Sequence, residues 1–280
     1  MRLSLLGSGS SGNVAYLEAE GGRTRVLVDA GLSKSEIELR LLRIPDPAGW
    51  ITLERIDGVL VTHDHNDHAG CARSLGRPIW ATAGTRRACE LDATLVRAGD
   101  RFTVGAFEVL PVLLPHDAIE TVGYVVSDGK SKVGILTDCG HDAADVAAAY
   151  AGCDVLVLEA NYDPNMLKVG PYPFSLKRRV GGNRGHLSNE QSASLLRQMC
   201  HLAPAPRLVI AAHLSQANNR AQLAKRALDR ALGRGGRVIV ATQARGTPII
   251  TIENGRVLCE PDPNEQLTFD FPLQRQEIRT

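Results

Sequence analysis

Three imidazoles and two carboxylates fall within six consecutive residues, His63-Asp64-His65-Asn66-Asp67-His68, directly after the apolar run Gly58-Val59-Leu60-Val61. The run is short and rich in β-branched residues, so it reads as a buried strand that ends where the histidines begin. A strand end gives the following loop a rigid footing, the usual base for a site. His63, His65, Asp67 and His68 offer neutral nitrogen and anionic oxygen donors with no thiolate among them, a set that suits Zn, Mn or Fe(II). A lone histidine is more often a core or surface residue than a ligand. Here three of the chain's 8 histidines sit in one short stretch, and the stretch reads as a metal site.

The pattern His-x-His-x-Asp-His after an apolar strand resembles the signature of the metallo-β-lactamase superfamily. That resemblance demands another His, then an Asp, then a last His, each at a strand end, and the chain supplies all three. Leu113-Leu114-Pro115-His116 is followed by Gly123-Tyr124-Val125-Val126; Val133-Gly134-Ile135-Leu136-Thr137 ends on Asp138; Leu208-Val209-Ile210-Ala211-Ala212 ends on His213. The resemblance implies an α/β (α+β) fold, a four-layer αββα sandwich, holding two divalent ions per chain, Zn or Mn with Fe possible. His63, His65 and His116 would hold the first ion and Asp67, His68 and His213 the second, with Asp138 bridging. Ions about 3.5–4 Å apart can share a hydroxide that attacks phosphorus in line, and Asp67 would orient it or handle its proton. Asp29, which ends Val26-Leu27-Val28, would support the histidine loop from behind or simply cap its strand.

The ligand groups run from residue 63 to 213 and must converge, which argues for one domain over about residues 1–255, with 256–280 as a C-terminal strap or tail. Apolar residues at 44% suffice for a sizeable core, and a net charge of +1 advertises neither nucleic acid nor membrane globally. The N-terminus lacks the apolar stretch of a signal peptide, and no run approaches a membrane-spanning length. The 6 cysteines are scattered without a Cys-x-x-Cys. They read as small buried hydrophobes of a reduced, cytoplasmic protein, Cys139 beside Asp138 being the one position where a redox role competes with that reading. Strands are expected at 3–6, 14–19 and 24–29, with the glycine-rich turn Gly7–Asn13 able to cradle an anion or merely to turn a hairpin. A helix is expected from Thr85 to about Leu91, and a capping box at Ser188 and Gln191 starts another that runs to about Leu202.

Residues 161–187 form the least regular stretch, long enough for a functional loop. Lys168, Lys177, Arg178, Arg179 and Arg184 stand there with Tyr162, Tyr172 and Phe174, in a chain only 4% aromatic. Cations with interleaved aromatics suit a polynucleotide, its phosphates paired and its bases stacked; a solvated surface segment is the plainer reading. His186 closes the stretch just before the capped helix. The phrases Gly7-Ser8-Gly9-Ser10-Ser11-Gly12-Asn13, Leu158-Glu159-Ala160-Asn161, Gly185-His186-Leu187-Ser188-Asn189 and His213-Leu214-Ser215 with Asn218-Asn219 resemble the YycJ/WalJ-type branch of the superfamily. The branch implies a cytoplasmic phosphodiesterase acting on nucleic acid, DNA favoured, as an exonuclease from the 5′ end. The expected catalytic pair is Asp67 and His186, and the expected substrate contacts are Lys177, Arg178, Arg179, Arg184 and Asn218. The alternative is hydrolysis of a small cyclic phosphodiester or other small ester, with 161–187 as a lid. His68 stands where β-lactam-opening enzymes carry another residue, so antibiotic hydrolysis is disfavoured.

Overall fold

The computed structural model describes residues 1–259. Its strands are β1 Arg2–Gly7, β2 Val14–Ala19, β3 Thr24–Val28, β4 Gly58–Leu60, β5 Ile79–Ala81, β6 Thr94–Leu95, β7 Phe102–Val104, β8 Phe107–Leu113, β9 Val122–Ser127, β10 Lys132–Leu136, β11 Val155–Glu159, β12 Leu208–Ala212, β13 Arg237–Val240, β14 Ile250–Glu253 and β15 Arg256–Cys259. The helices are α1 Lys34–Leu41, α2 Asn66–Ala69, α3 Ala83–Ala88, α4 Ala144–Tyr150, α5 Pro164–Val169, α6 Phe174–Val180, α7 Asn189–Leu202 and α8 Ala221–Leu232. One sheet runs β15-β14-β1-β2-β3-β4-β5-β6 and the other β13-β12-β11-β10-β9-β8-β7.

Alternation along each strand sorts the side chains into layers. Leu3, Leu5, Leu17, Val26, Tyr124, Ile135, Val157 and Ile210 meet between the sheets. The opposite face of the first sheet packs Tyr16, Leu27 and Val59 against Ile37 and Leu41 of α1. The opposite face of the second packs Leu136, Leu158 and Val209 against Val146 of α4, Leu195 of α7 and Leu228 of α8. The result is the expected αββα sandwich.

β3 and β4 run parallel, as do β10, β11 and β12, while β8 lies antiparallel to β9 and β9 to β10. The chain therefore leaves β3, β4, β8, β10, β11 and β12 toward one edge of the sandwich, where α/β sheets place their ligands. Every expected ligand follows one of these ends. Three residues there adopt left-handed backbone: Asp29 (φ 63°), Asp138 (φ 61°) and His213 (φ 54°). Aspartate tolerates that region better than histidine, and such conformations, costing about 1–3 kcal/mol each, persist where surrounding structure over-determines them.

Residues 161–187 are more regular than their sequence suggests. α5 is capped by Asp163, whose side chain accepts from the Met166 amide at 2.9 Å, with proline in the first turn; the Asp-Pro pair was the available signal. α6 follows after a short turn. The helix expected from Thr85 starts earlier, at Ala83, because Thr82 caps it by accepting from the Thr85 amide. β15 pairs with β14 and so carries the first sheet past residue 255 to Cys259. The rest of the proposed C-terminal strap lies outside the described residues. No helix among the described residues is long and apolar enough to cross a membrane.

Candidate metal centre and cleft

His63, His116, His68 and His213 each have Nδ1 fixed by a protein partner; His63 and His213 leave a buried Nε2 without one, whereas His68 Nε2 lies 3.0 Å from the Asn13 side-chain amide. Thr62 Oγ1 spends its only proton on the Asp29 carboxylate, so at 2.9 Å it can only accept from His63 Nδ1. His63 Nε2 is then a lone-pair nitrogen, fully buried, with no hydrogen-bond partner. His116 Nδ1 donates to the Gly185 carbonyl at 2.8 Å, which leaves its Nε2 bare and 3.3 Å from His65 Nδ1. His68 Nδ1 donates to Asp29 Oδ2 at 2.7 Å. His213 Nδ1 donates to Glu159 Oε1 at 3.1 Å, and its Nε2 is a second buried orphan. Asp138 Oδ2, on a side chain only 2% exposed, is a third buried atom without an aligned hydrogen bond, with His68 Nε2 3.0 Å away.

Buried polar atoms without partners are rare because each costs roughly 1–3 kcal/mol. Three of them converging among imidazoles and carboxylates fit a cation better than any arrangement of protein groups. Donor atoms of His63, His65 and His116 lie within 4.8 Å of one another, as do those of Asp67, His68 and His213 and those of His63, His68 and Asp138. The His/Asp cluster is thus suited to a divalent metal.

Among the protein groups alone, the charges within the cluster offset one another. Burial would raise the Asp138 carboxyl, yet the surrounding imidazoles of His213 and His68 hold it well below the usual range. Burial works against a charged His68, but Asp138 and Asp29 raise it well above the usual value. Burial also opposes charge on His213, which Asp138 and Asp67 nonetheless push up to about 10. His63 and His116, less favoured by carboxylates, are lowered by burial first.

Glu159 is the main residue that motif reading passed over. It ends the apolar strand β11 and is fully buried. Its four contacts fill both oxygens: the amides of Cys139 (2.9 Å) and Leu187 (3.1 Å) reach Oε2, and His186 Nδ1 (2.8 Å) and His213 Nδ1 (3.1 Å) reach Oε1. Against the pull of burial, His186 and His213 hold its carboxyl at about 2. With its lone pairs taken, Glu159 orients two imidazoles rather than offering an atom to an ion. Glu159→Gln places an amide NH2 where acceptors are needed, so metal affinity measured by chelator competition is expected to fall about 10- to 100-fold. Unchanged affinity and activity would remove it from the site.

Asp29 ties the loop together by accepting from the Thr62 amide (2.8 Å), the Thr62 hydroxyl and His68. Much of the glycine-rich turn's amide capacity is spent within the protein. The amides of Gly9, Ser11, Gly12 and Asn13 are spent on Asn13 Oδ1, Gln243 Oε1, the Gly9 carbonyl and the Asp67 carbonyl. The turn buttresses the histidine loop, and Ser8 Oγ accepts from the His213 amide at 2.8 Å. Gly31 completes that seam, since a Cβ there would lie 1.8 Å from the Asp67 carbonyl oxygen. Asp64 points away and accepts from the Ile119 amide. Cys139 is fully buried, and burial followed by the Glu159 charge pushes its thiol up, which makes it a poor nucleophile.

A cleft of about 320 Å³ opens over the cluster, lined among others by His65, Asp67, Asp117, Asp138, Tyr172, Arg179, His186 and His213. A larger concavity of about 820 Å³ lies beside Trp50 and Pro45 and is lined by none of the cluster residues; donor chemistry, not size, locates the centre. Within the cleft His186 sits between the donor groups, its ring centroid 5.2 Å from that of His116 and 5.3 Å from that of His213. Its Nδ1 faces Glu159 Oε1 at 2.8 Å. Of the five expected substrate contacts, only Arg179 lines the cleft, paired with Asp117 at 2.5 Å. Arg184 donates to the His116 carbonyl at 2.9 Å, so it braces the backbone beneath that imidazole. Asn218 is fully buried, and its carbonyl accepts from the Asp163 amide. Lys177 and Arg178 line a separate groove. Side-chain direction around α6 decides this, and an irregular reading of 161–187 could not supply it.

The sequence matches the Beta-lactamase superfamily domain over residues 24–214. Exodeoxyribonuclease YycJ of Bacillus anthracis is 31% identical over 244 residues, 83% of this chain and 89% of that protein. Exodeoxyribonuclease WalJ of Streptococcus pneumoniae is 33% identical over 238 residues, 80% of this chain and 85% of the relative. In three dimensions the metallo-β-lactamase fold protein YhfI of Bacillus subtilis superposes with a TM-score of 0.66 at 16% identity, over 86% of this chain and 96% of that one. Sequence match, layer order and buried donor set agree: the chain belongs to the beta-lactamase superfamily, as a metal-dependent hydrolase of the metallo-β-lactamase fold.

Proposed function

We propose that the chain is a metal-dependent exodeoxyribonuclease that hydrolyses phosphodiester bonds from a 5′ end, with one divalent ion, Zn or Mn, in each donor triad. The observation that carries the reading is the pair of triads, His63/His65/His116 and Asp67/His68/His213, flanking buried Asp138 under a cleft that also holds an oriented imidazole and an arginine. The relatives named as exodeoxyribonucleases support DNA as the substrate.

A bound pair of ions supplies an activated water and a Lewis acid for the phosphoryl oxygens. The chain's own groups do the rest. Asp67, its side chain 25% exposed with Oδ2 3.5 Å from His213 Nε2, orients the nucleophile by accepting a hydrogen bond. Arg179 offers a planar cation to a non-bridging oxygen, and while it stays paired with Asp117 at 2.5 Å it also offsets that carboxylate's charge beside the substrate. His186, fixed through Nδ1 by Glu159, presents Nε2 to the departing oxygen as proton donor.

The test is the purified protein with added Mn or Zn, assayed on 5′-labelled single- and double-stranded DNA, RNA, a covalently closed DNA circle and bis-p-nitrophenyl phosphate. Labelled mononucleotide is expected from linear DNA at the earliest times, with the circle intact. Nicking of the circle would replace the exonuclease with an endonuclease. Activity confined to the small diester would return the small-substrate reading.

A further inference from the structure

α6 separates two concavities. Leu176, Arg179 and Val180 face the metal cleft, whereas Phe174, Lys177, Arg178 and Gly181 face a groove of about 530 Å³, the two sets following the helical repeat. The groove is completed by Tyr162, Pro164, Leu167 and Lys168, and no acidic side chain lines it. Its floor is firm: Tyr162, Leu167 and Val180 are buried together with Tyr172 and Leu176 packed on them. Lys177 Nζ also ties α6 to α5 through the Lys168 carbonyl at 2.8 Å. On its rim the Phe174 ring is 76% exposed, although few of this chain's side chains are aromatic. No described hydrogen bond or ion pair occupies the side-chain nitrogens of Lys168 or Arg178.

From this juxtaposition we propose that the groove is a second binding site on the substrate strand: a single-stranded DNA segment crosses α6, stacks a base on Phe174 and lays its phosphates along Lys168, Lys177 and Arg178. The inference rests on the nuclease reading above and adds to it where the strand runs. Three cations without an acid match a phosphodiester backbone, and an exposed ring on an apolar floor matches a base face. An ordinary apolar docking groove would not be ringed by cations. A helix with its side chains is about 10 Å thick, and at the ~3.4 Å spacing of a duplex strand a chain must be about three to four nucleotides long to span it. Affinity should therefore step upward at that length.

The experiment measures binding and turnover separately. Anisotropy of labelled oligothymidylates of increasing length, with EDTA present to prevent cleavage, gives Kd. In the unaltered protein Kd should fall once the strand spans α6. Phe174→Ala should raise Kd for long strands about 5- to 150-fold, the range for one lost base stack, and Phe174→Trp should restore it. Lys168→Ala/Lys177→Ala/Arg178→Ala should reduce the salt slope of log Kd by about 2, at ~0.7 per phosphate on single strands. A length step and salt slope that survive in these variants overturn the groove, as does equal loss of affinity for a base-free polyphosphate in Phe174→Ala. Turnover keeps the two ideas distinguishable. If the unaltered protein binds strands through Phe174 but cleaves none, the nuclease reading fails and the groove stands. If it cleaves strands with no dependence on Phe174, the groove fails and the nuclease reading stands.

Discussion

Asp138→Ala protein prepared without chelator is expected to carry at most one weakly held ion per chain where the unaltered protein carries about two, and to lose hydrolysis of bis-p-nitrophenyl phosphate altogether. Asp138 is 2% exposed and lies within reach of His68, His116, His186 and His213, with Oδ2 3.0 Å from His68 Nε2. No other described carboxylate stands between both donor triads. Alanine in a left-handed backbone could disturb the loop itself, so Asp138→Asn is the companion variant: asparagine accepts that conformation and keeps the shape while removing the charge. Elemental analysis of both proteins checks the expectation. Full loading with two ions in both would show that Asp138 does not bridge them.

His186→Ala is expected to keep its metal and its fold yet lose about 10²–10⁴-fold in turnover on DNA, the usual range for a positioned acid or base. The ring is 21% exposed at the cleft, tethered to Glu159, and equidistant from the donor groups on either side. Because p-nitrophenolate leaves without protonation, bis-p-nitrophenyl phosphate should suffer less than DNA if His186 is the acid. Equal losses on both substrates would assign it to charge stabilisation at phosphorus instead. The nitrogen atoms of His186 and His213 also form a close group with Asp138 and Glu159, so the metal content of the variant matters. Loss of an ion would make His186 a ligand and leave the leaving-group proton without a donor.

The His/Asp cluster could be read from sequence because each of its groups follows a short apolar strand, and a buried strand bounded by polar residues leaves a local mark in the chain. The groups His63–His68, His116, Asp138 and His213 all carry that mark, and the family resemblance they support implies a sandwich that brings strand ends to one edge. The capping box at Ser188 was equally local, and both of its hydrogen bonds form. What depended on distance across the fold was invisible. Glu159 ends a strand as Asp138 almost does, but its role comes from His186, 27 residues on, and His213, 54 residues on, meeting one carboxylate. Asp117 gains meaning only where Arg179 folds back onto it across 62 residues. In the same way the basic stretch 161–187 announced cations and aromatics without saying where they point. Two short helices and the turn after them decide that, turning Arg179 into the cleft, Lys177 and Arg178 into the groove, and Arg184 onto the His116 carbonyl. Composition and periodicity act between neighbours in the chain, whereas the direction of a side chain and the partner it meets are set by packing between elements far apart in it.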